Sequence, residues 1–436
     1  MQIKIKLIFL LLSISCLSCA SLKNTKNINQ IFDHSPAFKQ GFTGLVIYDP
    51  GSNKILFDKN GNKYFTPASN TKLFTFYTAL KIIGDSVPGL KYATHGDSLI
   101  FKGTGDPAFL YAEFDAKNTL DFLRNSDKKL FLLSPGFTEK KFGPGWAWDD
   151  YNDYYSAERN PFPLYGNVVE FKFKNGQNSP NIYPDIFKDS ISTDATEHLG
   201  MGVYRDIDAN IFKIRNIKRN KNATRLVPFI TSQFTAAKLL SDTIRKEVML
   251  LHKKPKNLHL QNTIYNTASD SLYKKMLQNS DNFIAEQLLL VSAGKISDTL
   301  KTDIAIDYAQ KNLLSDLPDK INWYDGSGLT RYNLFTPRSV VKLISKITDE
   351  IGEEKFKALL PASGESGTLK NSYKASKPYI YAKTGTLRNN HSLSGLLITK
   401  SGKTLYFSFM NSNYTVPNSQ LKQAMEEILI TVHDQY

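Results

Sequence analysis

Cysteine is almost absent from this sequence of 436 residues, which contains two, Cys16 and Cys19, both close to the N-terminus. The chain beyond them therefore has no disulfide framework and no cysteine-bound metal site. The pattern His-Glu-x-x-His, which binds zinc in many peptidases, is absent as well. We accordingly expect no metal and no other cofactor.

The sequence also lacks the Gly-x-Ser-x-Gly turn that carries the nucleophile of α/β-hydrolases. None of its seven histidines stands in a recognisable Ser-His-Asp setting. A hydrolase of that kind is therefore not indicated, and any serine chemistry has to use a different base.

Long hydrophobic runs are scarce, and the one near the N-terminus, from Leu7 to Leu12, is too short to span a membrane. It follows lysines and precedes small residues, which is typical of a secretory signal. The pattern resembles a bacterial lipoprotein signal, in which a cysteine after small residues is lipidated. We predict such a signal peptide over residues 1–19, with the lipid on Cys19 or alternatively on Cys16; an ordinary cleaved signal is the other interpretation.

The formal net charge of +14 at pH 7 suits an anionic partner such as a nucleic acid, an acidic lipid surface or a wall polymer. The basic residues are scattered, however, with only short clusters such as Lys213–Lys221. No DNA- or RNA-binding motif accompanies them. We therefore predict no nucleic-acid partner. The N-terminal signal predicts an exported, periplasmic protein that contacts the membrane only through the N-terminal lipid.

Local patterns predict a chain that mixes helices and strands. Residues 42–48 and 54–58 flank the turn "DPGSN" and predict a β-hairpin. Apolar residues recur at a helical period after Pro67, and helical patterns return at residues 231–248, 280–294 and 419–433. Three apolar segments between residues 379 and 412 predict neighbouring antiparallel strands.

The length predicts more than one domain. Residues 91–226 are rich in Gly, Pro, Asn, Asp and aromatics, with short β-like runs, and predict an inserted, mostly β region. Residues 20–90 and 227–436 are then the two parts of one discontinuous domain, for which we expect an α/β (α+β) fold.

The segment "TPASNTKLFT" places Ser69 and Lys72 one helical turn apart, where a loop meets a helix. A helix cap and a solvated charge would account for both residues; alternatively, Lys72 takes the proton of Ser69 and makes it a nucleophile. The same Ser-x-x-Lys spacing begins elsewhere at Ser126, Ser271, Ser292, Ser339 and Ser419. Only Ser69 follows a strand and a turn and opens an apolar helix, so the context favours Ser69.

Two further motifs follow in order. Ser280–Asn282 ("SDN") opens a helical pattern, and Lys383–Gly385 ("KTG") ends a predicted strand. The ordered set Ser-x-x-Lys, Ser-Asp-Asn and Lys-Thr-Gly is typical of penicillin-binding proteins and class A β-lactamases.

The chain resembles the D-alanyl-D-alanine carboxypeptidases of the penicillin-binding protein 4 type, peptidase family S13, over nearly all of the part that follows the signal. Besides the three motifs, the similar blocks are "GTGDPAF" (103–109), "GWAWDDYNDYY" (145–155), "YDGSGLTRYNLFTP" (324–337), "SGESGTL" (363–369) and "AKTGTL" (382–387). The long gap between Ser69 and Ser280 is similar too, because this family carries inserted domains there.

The resemblance implies a serine β-lactamase/transpeptidase-like catalytic domain, with an antiparallel sheet flanked by helices. It implies the catalytic residues Ser69, Lys72, Ser280, Asn282 and Lys383, and the substrate-binding residues Thr384, Gly385 and Thr386. Ser280 would relay a proton to the leaving amine, and Asn282 would hold Lys72 or the substrate amide.

Lys72 can act as a base only when it is uncharged, so its pKa has to lie below the usual value of about 10.4. We expect burial or the charge of Lys383 to lower it, with the Lys383 ammonium left to attract an anionic substrate. The backbone N–H groups of Ser69 and Thr386 are expected to stabilise an oxyanion. The hydroxyls of Thr384 and Thr386 are expected to bind the terminal carboxylate of the substrate.

Two other patterns are less specific. We interpret Gly326–Gly328 ("GSG") as a turn at the rim of the site. The cluster of Trp146, Trp148, Asp149 and Asp150 either reaches the peptide stem or has a structural role.

The predicted function is hydrolysis of the D-Ala-D-Ala end of a peptidoglycan stem peptide through an acyl-enzyme on Ser69. On cross-links the same chemistry would make the protein an endopeptidase, and β-lactam antibiotics are expected as acylating inhibitors. The alternatives are a β-lactamase-like hydrolase and a non-catalytic wall-binding lipoprotein of the same fold.

Overall fold

The computed structural model describes residues 25–111, 113–114, 117–134, 136–177, 179–194, 202–215 and 221–436. The predicted signal peptide and both of its cysteines lie outside these residues. Within the described ranges, no helix is both long and apolar enough to cross a membrane.

Helices and strands alternate irregularly along the chain. The strands are β1 (Phe42–Asp49), β2 (Lys54–Lys59), β3 (Ser86–His95), β4 (Ser98–Gly103), β5 (Lys129–Leu133), β6 (Val168–Phe173), β7 (Asn181–Tyr183), β8 (Ile191–Asp194), β9 (Val203–Arg205), β10 (Phe212–Arg215), β11 (Ala223–Pro228), β12 (Val248–Leu251), β13 (Asn262–Ala268), β14 (Ile380–Leu387), β15 (Asn390–Ile398) and β16 (Thr404–Ser412). The α-helices are α1 (25–34), α2 (Thr71–Ile82), α3 (Lys117–Asn125), α4 (Gln233–Ile244), α5 (Ser269–Gln278), α6 (Asn282–Ser297), α7 (Thr302–Tyr308), α8 (Pro337–Ile351), α9 (Glu353–Leu359) and α10 (Asn418–Gln435).

The first sheet joins the two ends of the described chain. Its five strands have the order β14-β15-β16-β1-β2, and each neighbouring pair is antiparallel. The predicted N-terminal hairpin and the three predicted C-terminal strands are both confirmed. Strand β14 lies at the edge of the sheet. Residues 361–363 pair with its outer side as far as Ala382, and the part that follows is open to a partner other than a strand.

Helices cover both faces of this sheet. On one face α10 packs in an apolar cluster that includes Leu393 and Met425. On the other face α2, α6 and α8 pack in a cluster that includes Leu288 and Met410. Since both faces are covered, β15 and β16 are buried along almost their whole length. The predicted α/β (α+β) fold, an antiparallel sheet flanked by helices, is confirmed.

Helix α2 runs through the interior of this domain. Its residues Thr71–Ala79 are all buried, which is expected of a helix surrounded by other elements rather than packed on one side. A short 3-10 turn, Ala68–Asn70, leads directly into it. Residues near the start of α2 are therefore held inside the protein.

The remaining strands form separate sheets. A five-stranded sheet has the order β12-β5-β4-β3-β13, and two three-stranded sheets have the orders β8-β10-β9 and β11-β6-β7. The inserted region over residues 91–226 stays a prediction, but the ladders of the five-stranded sheet cross both of its boundaries. Because β3 begins at Ser86 and β12 and β13 lie beyond residue 226, we propose that the insertion extends over residues 86–268.

Candidate active site

Ser69 lies in the 3-10 turn that precedes α2. Its Oγ accepts a hydrogen bond of 3.0 Å from Nζ of Lys72, one turn further on. Neither the 3-10 turn nor α2 has a side-chain cap at its N-terminus, so the interpretation of Ser69 as a helix cap is wrong. Ala68 has a φ of 48°, a conformation that costs a residue with a Cβ free energy and is common at functional sites.

Lys72 is fully buried, and its Nζ contacts three oxygen atoms. These are Oγ of Ser69 at 3.0 Å, Oδ1 of Asn282 at 2.6 Å and the backbone oxygen of Ser327 at 2.6 Å. A charged amine can donate to all three. An uncharged amine can donate to the amide and carbonyl oxygens, which accept only, and direct its lone pair at the Ser69 hydroxyl.

The Ser-Asp-Asn motif lies at the N-terminus of α6, as predicted. Asp281 caps the helix, and its second carboxylate oxygen accepts a hydrogen bond of 2.6 Å from the hydroxyl of Tyr111. Asn282 is held on its other side as well, because its Nδ2 donates to the backbone oxygen of Tyr155 over 2.9 Å. The contacts with Lys72 on one side and Tyr155 on the other thus fix the orientation of the Asn282 amide.

Lys383 faces Ser280 from β14. Its Nζ donates to Oγ of Ser280 over 2.9 Å and to the backbone oxygen of Thr384 over 2.8 Å. Ser280 has a φ of 58°, a second uncommon conformation at this site. The structure therefore brings all five predicted catalytic residues together: Ser69, Lys72, Ser280, Asn282 and Lys383.

Strand β14 approaches the Ser69 turn so closely that position 385 has no room for a side chain. A Cβ on Gly385 would lie 2.6 Å from the oxygen of Pro67 and 2.9 Å from the nitrogen of Ser69. The N–H of Ala382 donates away from β15, and the alternation along a strand gives the N–H of Thr386 the same direction. The amides of Ser69 and Thr386 thus both border the open edge of β14.

The two threonine hydroxyls at this edge contact side chains that sequence analysis did not identify. Oγ1 of Thr384 donates to Oγ1 of Thr368 over 2.7 Å. Oγ1 of Thr386 lies 2.8 Å from Nδ1 of His391. Each hydroxyl is therefore oriented before any substrate arrives.

Burial lowers the pKa of both lysines in the site. It brings the pKa of Lys72 to about 8, against the opposite effect of the carboxylates of Asp325, Glu286 and Asp281. For Lys383, burial and then the charge of Lys72 lower the pKa well below its usual value. This differs from the expectation that Lys383 keeps its ammonium: in the empty site, burial and the charge of Lys72 both disfavour the charged form of Lys383.

A buried network of charged groups supports the loop of residues 325–330. Asp325 accepts hydrogen bonds from the N–H of Gly328 over 2.9 Å and of Thr330 over 2.8 Å. Glu286 accepts from the N–H of Ser327 over 2.7 Å and from two nitrogens of Arg159 over 2.9 and 2.6 Å. The network fixes the Ser327 carbonyl that receives the lysine hydrogen bond.

Gly326–Gly328 bends next to the site as predicted, but its expected position at the rim is wrong. Ser327 is fully buried, and a Cβ on Gly328 would lie 1.9 Å from the oxygen of Ala68, so this turn packs directly on the Ser69 turn. In the tryptophan cluster, Nε1 of Trp146 donates to Asp325 over 2.9 Å, which favours the structural alternative for that residue. Trp148 is 77% exposed and has no part in this network.

Five side chains of the site and its support were missed: Arg159, Glu286, Asp325, Thr368 and His391. Asp325 and Thr368 lie in blocks that sequence analysis had singled out, so the signal for them was present. Arg159 and Glu286 are 127 positions apart, and no local spacing connects two residues so distant. Among the described residues, no group of three or more His, Cys, Asp or Glu side chains is arranged to hold a metal ion.

Comparison with known proteins identifies the family of the chain. The sequence model of the D-Ala-D-Ala carboxypeptidase 3 (S13) family matches residues 24–432. The chain belongs to the S13 family. Its predicted resemblance to that family is thereby confirmed.

Curated relatives of this S13 protein match over most of their length. D-alanyl-D-alanine carboxypeptidase DacB of Haemophilus influenzae is 24% identical, over 91% of this chain and 90% of the relative. D-alanyl-D-alanine carboxypeptidase of Actinomadura sp. (strain R39) is also 24% identical, over 88% of this chain and 80% of the relative. The crystal structure of penicillin-binding protein 4 from Haemophilus influenzae has a TM-score of 0.76 at 20% identity, with 94% of this chain and 99% of that chain covered. The S13 protein therefore has the fold of that protein.

We expect Arg159→Met to lower the free energy of unfolding of the S13 protein by about 3–5 kcal/mol, because Glu286 would remain buried without its cation. Arg159 and Glu286 are both almost completely buried. Unfolding in urea measures the change. As a control, Lys172→Met breaks an exposed ion pair with Glu170 and should cost at most about 1 kcal/mol. Equal effects of the two substitutions would contradict the role of the network.

Proposed function

We propose that the protein is a serine D-Ala-D-Ala carboxypeptidase that acts on peptidoglycan stem peptides through an acyl-enzyme on Ser69. The observation that carries the proposal is the 3.0 Å hydrogen bond between Oγ of Ser69 and Nζ of the buried Lys72. Membership of the S13 family, and the names of two curated relatives, support the substrate.

In the proposed acylation, uncharged Lys72 takes the hydroxyl proton of Ser69, and Oγ attacks the carbonyl carbon of the penultimate D-alanine. The Asn282 oxygen and the Ser327 carbonyl accept hydrogen bonds from the two N–H groups of uncharged Lys72, so its lone pair is directed at Ser69. With a pKa of about 8, a sizeable fraction of Lys72 is uncharged near neutral pH.

The negative charge that develops on the carbonyl oxygen requires donors that are already in place. The amides of Ser69 and Thr386 border the open edge of β14 and are the donors that we propose. Each donor of this kind contributes roughly two to three orders of magnitude to the rate. Gly385 allows the two amides to come close, because no side chain separates β14 from the Ser69 turn.

The leaving D-alanine needs a proton when its C–N bond breaks. Ser280 is the proposed relay from Lys72 to the leaving amine, and water then hydrolyses the Ser69 ester. The terminal carboxylate would lie by Lys383, where a negative charge favours the ammonium form. A charged Lys383 in turn disfavours a proton on Lys72, so substrate binding itself shifts Lys72 towards its basic form.

The same acyl-enzyme would form from a cross-linked peptide, which would make the protein a D,D-endopeptidase as well. β-Lactam antibiotics would acylate Ser69 because they carry a reactive carbonyl and a carboxylate in the same arrangement. A complex of Haemophilus influenzae penicillin-binding protein 4 with a β-lactam, in a fold that this chain shares, supports this part of the proposal.

We also propose that the protein is exported to the periplasm and anchored there by a lipid on Cys19, with Cys16 as the alternative. The support is the signal-like sequence of residues 1–19 and the peptidoglycan substrate, which lies outside the cytoplasm.

The first test of the function is covalent labelling with a fluorescent β-lactam. Wild-type protein should be labelled, and Ser69→Ala should lose at least about 99% of the label because no nucleophile remains. Ser271→Ala is the matched control, since it removes an exposed serine with the same Ser-x-x-Lys spacing and should be labelled fully. A wild-type protein that takes up no label would rule out the acyl-enzyme.

The second test is the pH dependence of acylation. Lys72 acts as a base only after losing its proton, so the second-order rate constant of acylation, which reports the free enzyme, should rise with pH and reach half of its plateau near pH 8. Stopped-flow measurement of β-lactam acylation between about pH 6 and pH 9 gives the curve. Lys72→Arg, which stays charged over this range, should not acylate at any of these pH values. A flat profile would contradict Lys72 as the base.

The third test concerns the anchor. Mass spectrometry of the protein isolated from membranes should find a lipid-modified cysteine at the N-terminus. Cys19→Ser should release the protein from the membrane fraction, whereas Cys16→Ser should not. Release by the second substitution alone would assign the lipid to Cys16, and an unmodified terminus would remove the anchor.

A further inference from the structure

Thr386 and His391 face each other across the edge of the first sheet. They are opposite residues in the antiparallel pair of β14 and β15, so their side chains share one face of the sheet. Oγ1 of Thr386 lies 2.8 Å from Nδ1 of His391, a full hydrogen bond. Thr386 is exposed at the open edge, whereas only 1% of the His391 surface is exposed.

On the side away from β14, the backbone of His391 is held by strand β16. The backbone oxygen of His391 accepts a hydrogen bond of 3.4 Å from Nδ2 of Asn411 on β16. Oδ1 of Asn411 in turn accepts 2.8 Å from the hydroxyl of Thr43 on β1. Thr386, His391, Asn411 and Thr43 are thus successive members of one polar row across four strands. The row holds the backbone of His391, and burial keeps its imidazole away from solvent.

His391 is an uncharged imidazole in this environment. Burial, and then the charge of Lys422, lower its pKa to about 3, so at neutral pH it carries a single N–H. The proton lies on either Nδ1 or Nε2. With the proton on Nδ1, the histidine donates to Oγ1 of Thr386 and leaves the threonine proton free. With the proton on Nε2, Nδ1 can only accept. The Thr386 hydroxyl then donates its proton to Nδ1 and cannot donate it to a substrate.

The substrate selects between these two forms. A carboxylate accepts hydrogen bonds and donates none, so a threonine that binds it has to donate. The hydroxyl of Thr384 already donates to Thr368 over 2.7 Å. Of the two threonines predicted to bind the carboxylate, Thr386 is therefore the one whose proton His391 can leave available.

We propose that His391 is a positioning residue: its Nδ1–H donates to Oγ1 of Thr386, and the threonine hydroxyl proton then binds the terminal carboxylate of the substrate. His391 itself touches neither the substrate nor the reacting atoms. The inference rests on the proposed function, because it assumes a substrate with a free terminal carboxylate. It accounts for a buried imidazole next to the site that the acylation steps do not use.

Steady-state hydrolysis of a peptide ending in D-Ala-D-Ala tests the inference. His391→Leu keeps the apolar volume but removes the donor, and it should raise KM about tenfold, the equivalent of one hydrogen bond to a charged group. The kcat should change less than about threefold, since His391 lies outside the acylation steps. His391→Asn places an amide N–H near the position of Nδ1, so its KM should lie close to the wild-type value.

A double-mutant cycle separates positioning from a general structural effect. Thr386→Val removes the hydroxyl at nearly constant volume and should itself raise KM. Adding His391→Leu to Thr386→Val should then change KM no further, because the partner is already gone. A structural role alone would raise KM by the same factor in both backgrounds and would overturn the proposal. So would an unchanged or lower KM in His391→Leu.

Controls keep the result interpretable. His433→Asn replaces a second histidine, which is half-buried and whose Nδ1 bonds to the oxygen of Ile398 at the far end of β15, and should leave KM unchanged. If His391→Leu does not fold, His391→Ala, which also removes the donor, takes its place in the cycle with Thr386→Val. Labelling of the wild type by a fluorescent β-lactam is measured alongside. A wild-type protein that is not labelled refutes the acyl-enzyme, whereas intact labelling with an unaltered KM in His391→Leu refutes only the positioning role.

Discussion

The burial of the Lys72 amine is the constraint on which the site depends. An amine inside a protein needs oxygen partners, and here they come from the turn before α2, from the start of α6 and from the loop at Ser327. Charge has to be balanced as well. The carboxylates of Asp325 and Glu286 lie near enough to favour the ammonium, and Arg159 offsets one of them, so that Lys72 keeps a pKa between that of a free lysine and that of a fully desolvated one.

The edge strand β14 contributes through its backbone as much as through its side chains. Gly385 permits contact with the Ser69 turn, which sets the spacing of the two amides at the open edge. Lys383 and Ser280 then close one end of the site, and Thr386 with His391 lies at the other. Two residues with Cβ atoms in left-handed conformations, Ala68 and Ser280, indicate that the packing of the whole domain holds these turns in place.

The sequence predicted those parts of the protein whose signals are local. Order and context singled out Ser69 among six Ser-x-x-Lys spacings, and turn chemistry with apolar alternation predicted the hairpin of β1 and β2. What it did not predict depends on pairing between distant segments. Glu286 looks like one more polar residue of a helix until the fold brings Arg159 to it. The proposed limits of the insertion shift for the same reason, because β12 and β13 pair with strands that lie far earlier in the chain.

One consequence follows from the distances in sequence between the partners of Lys72, which are 210 positions for Asn282 and 255 for Ser327. A chain that has not yet brought these segments together has a fully hydrated, positively charged lysine beside an ordinary alcohol, because nothing removes either from water. The serine therefore becomes nucleophilic only when these segments are assembled around Lys72. An unfolded molecule lacks this activation, so the number of reactive serines in a preparation reports how many molecules are assembled at the site.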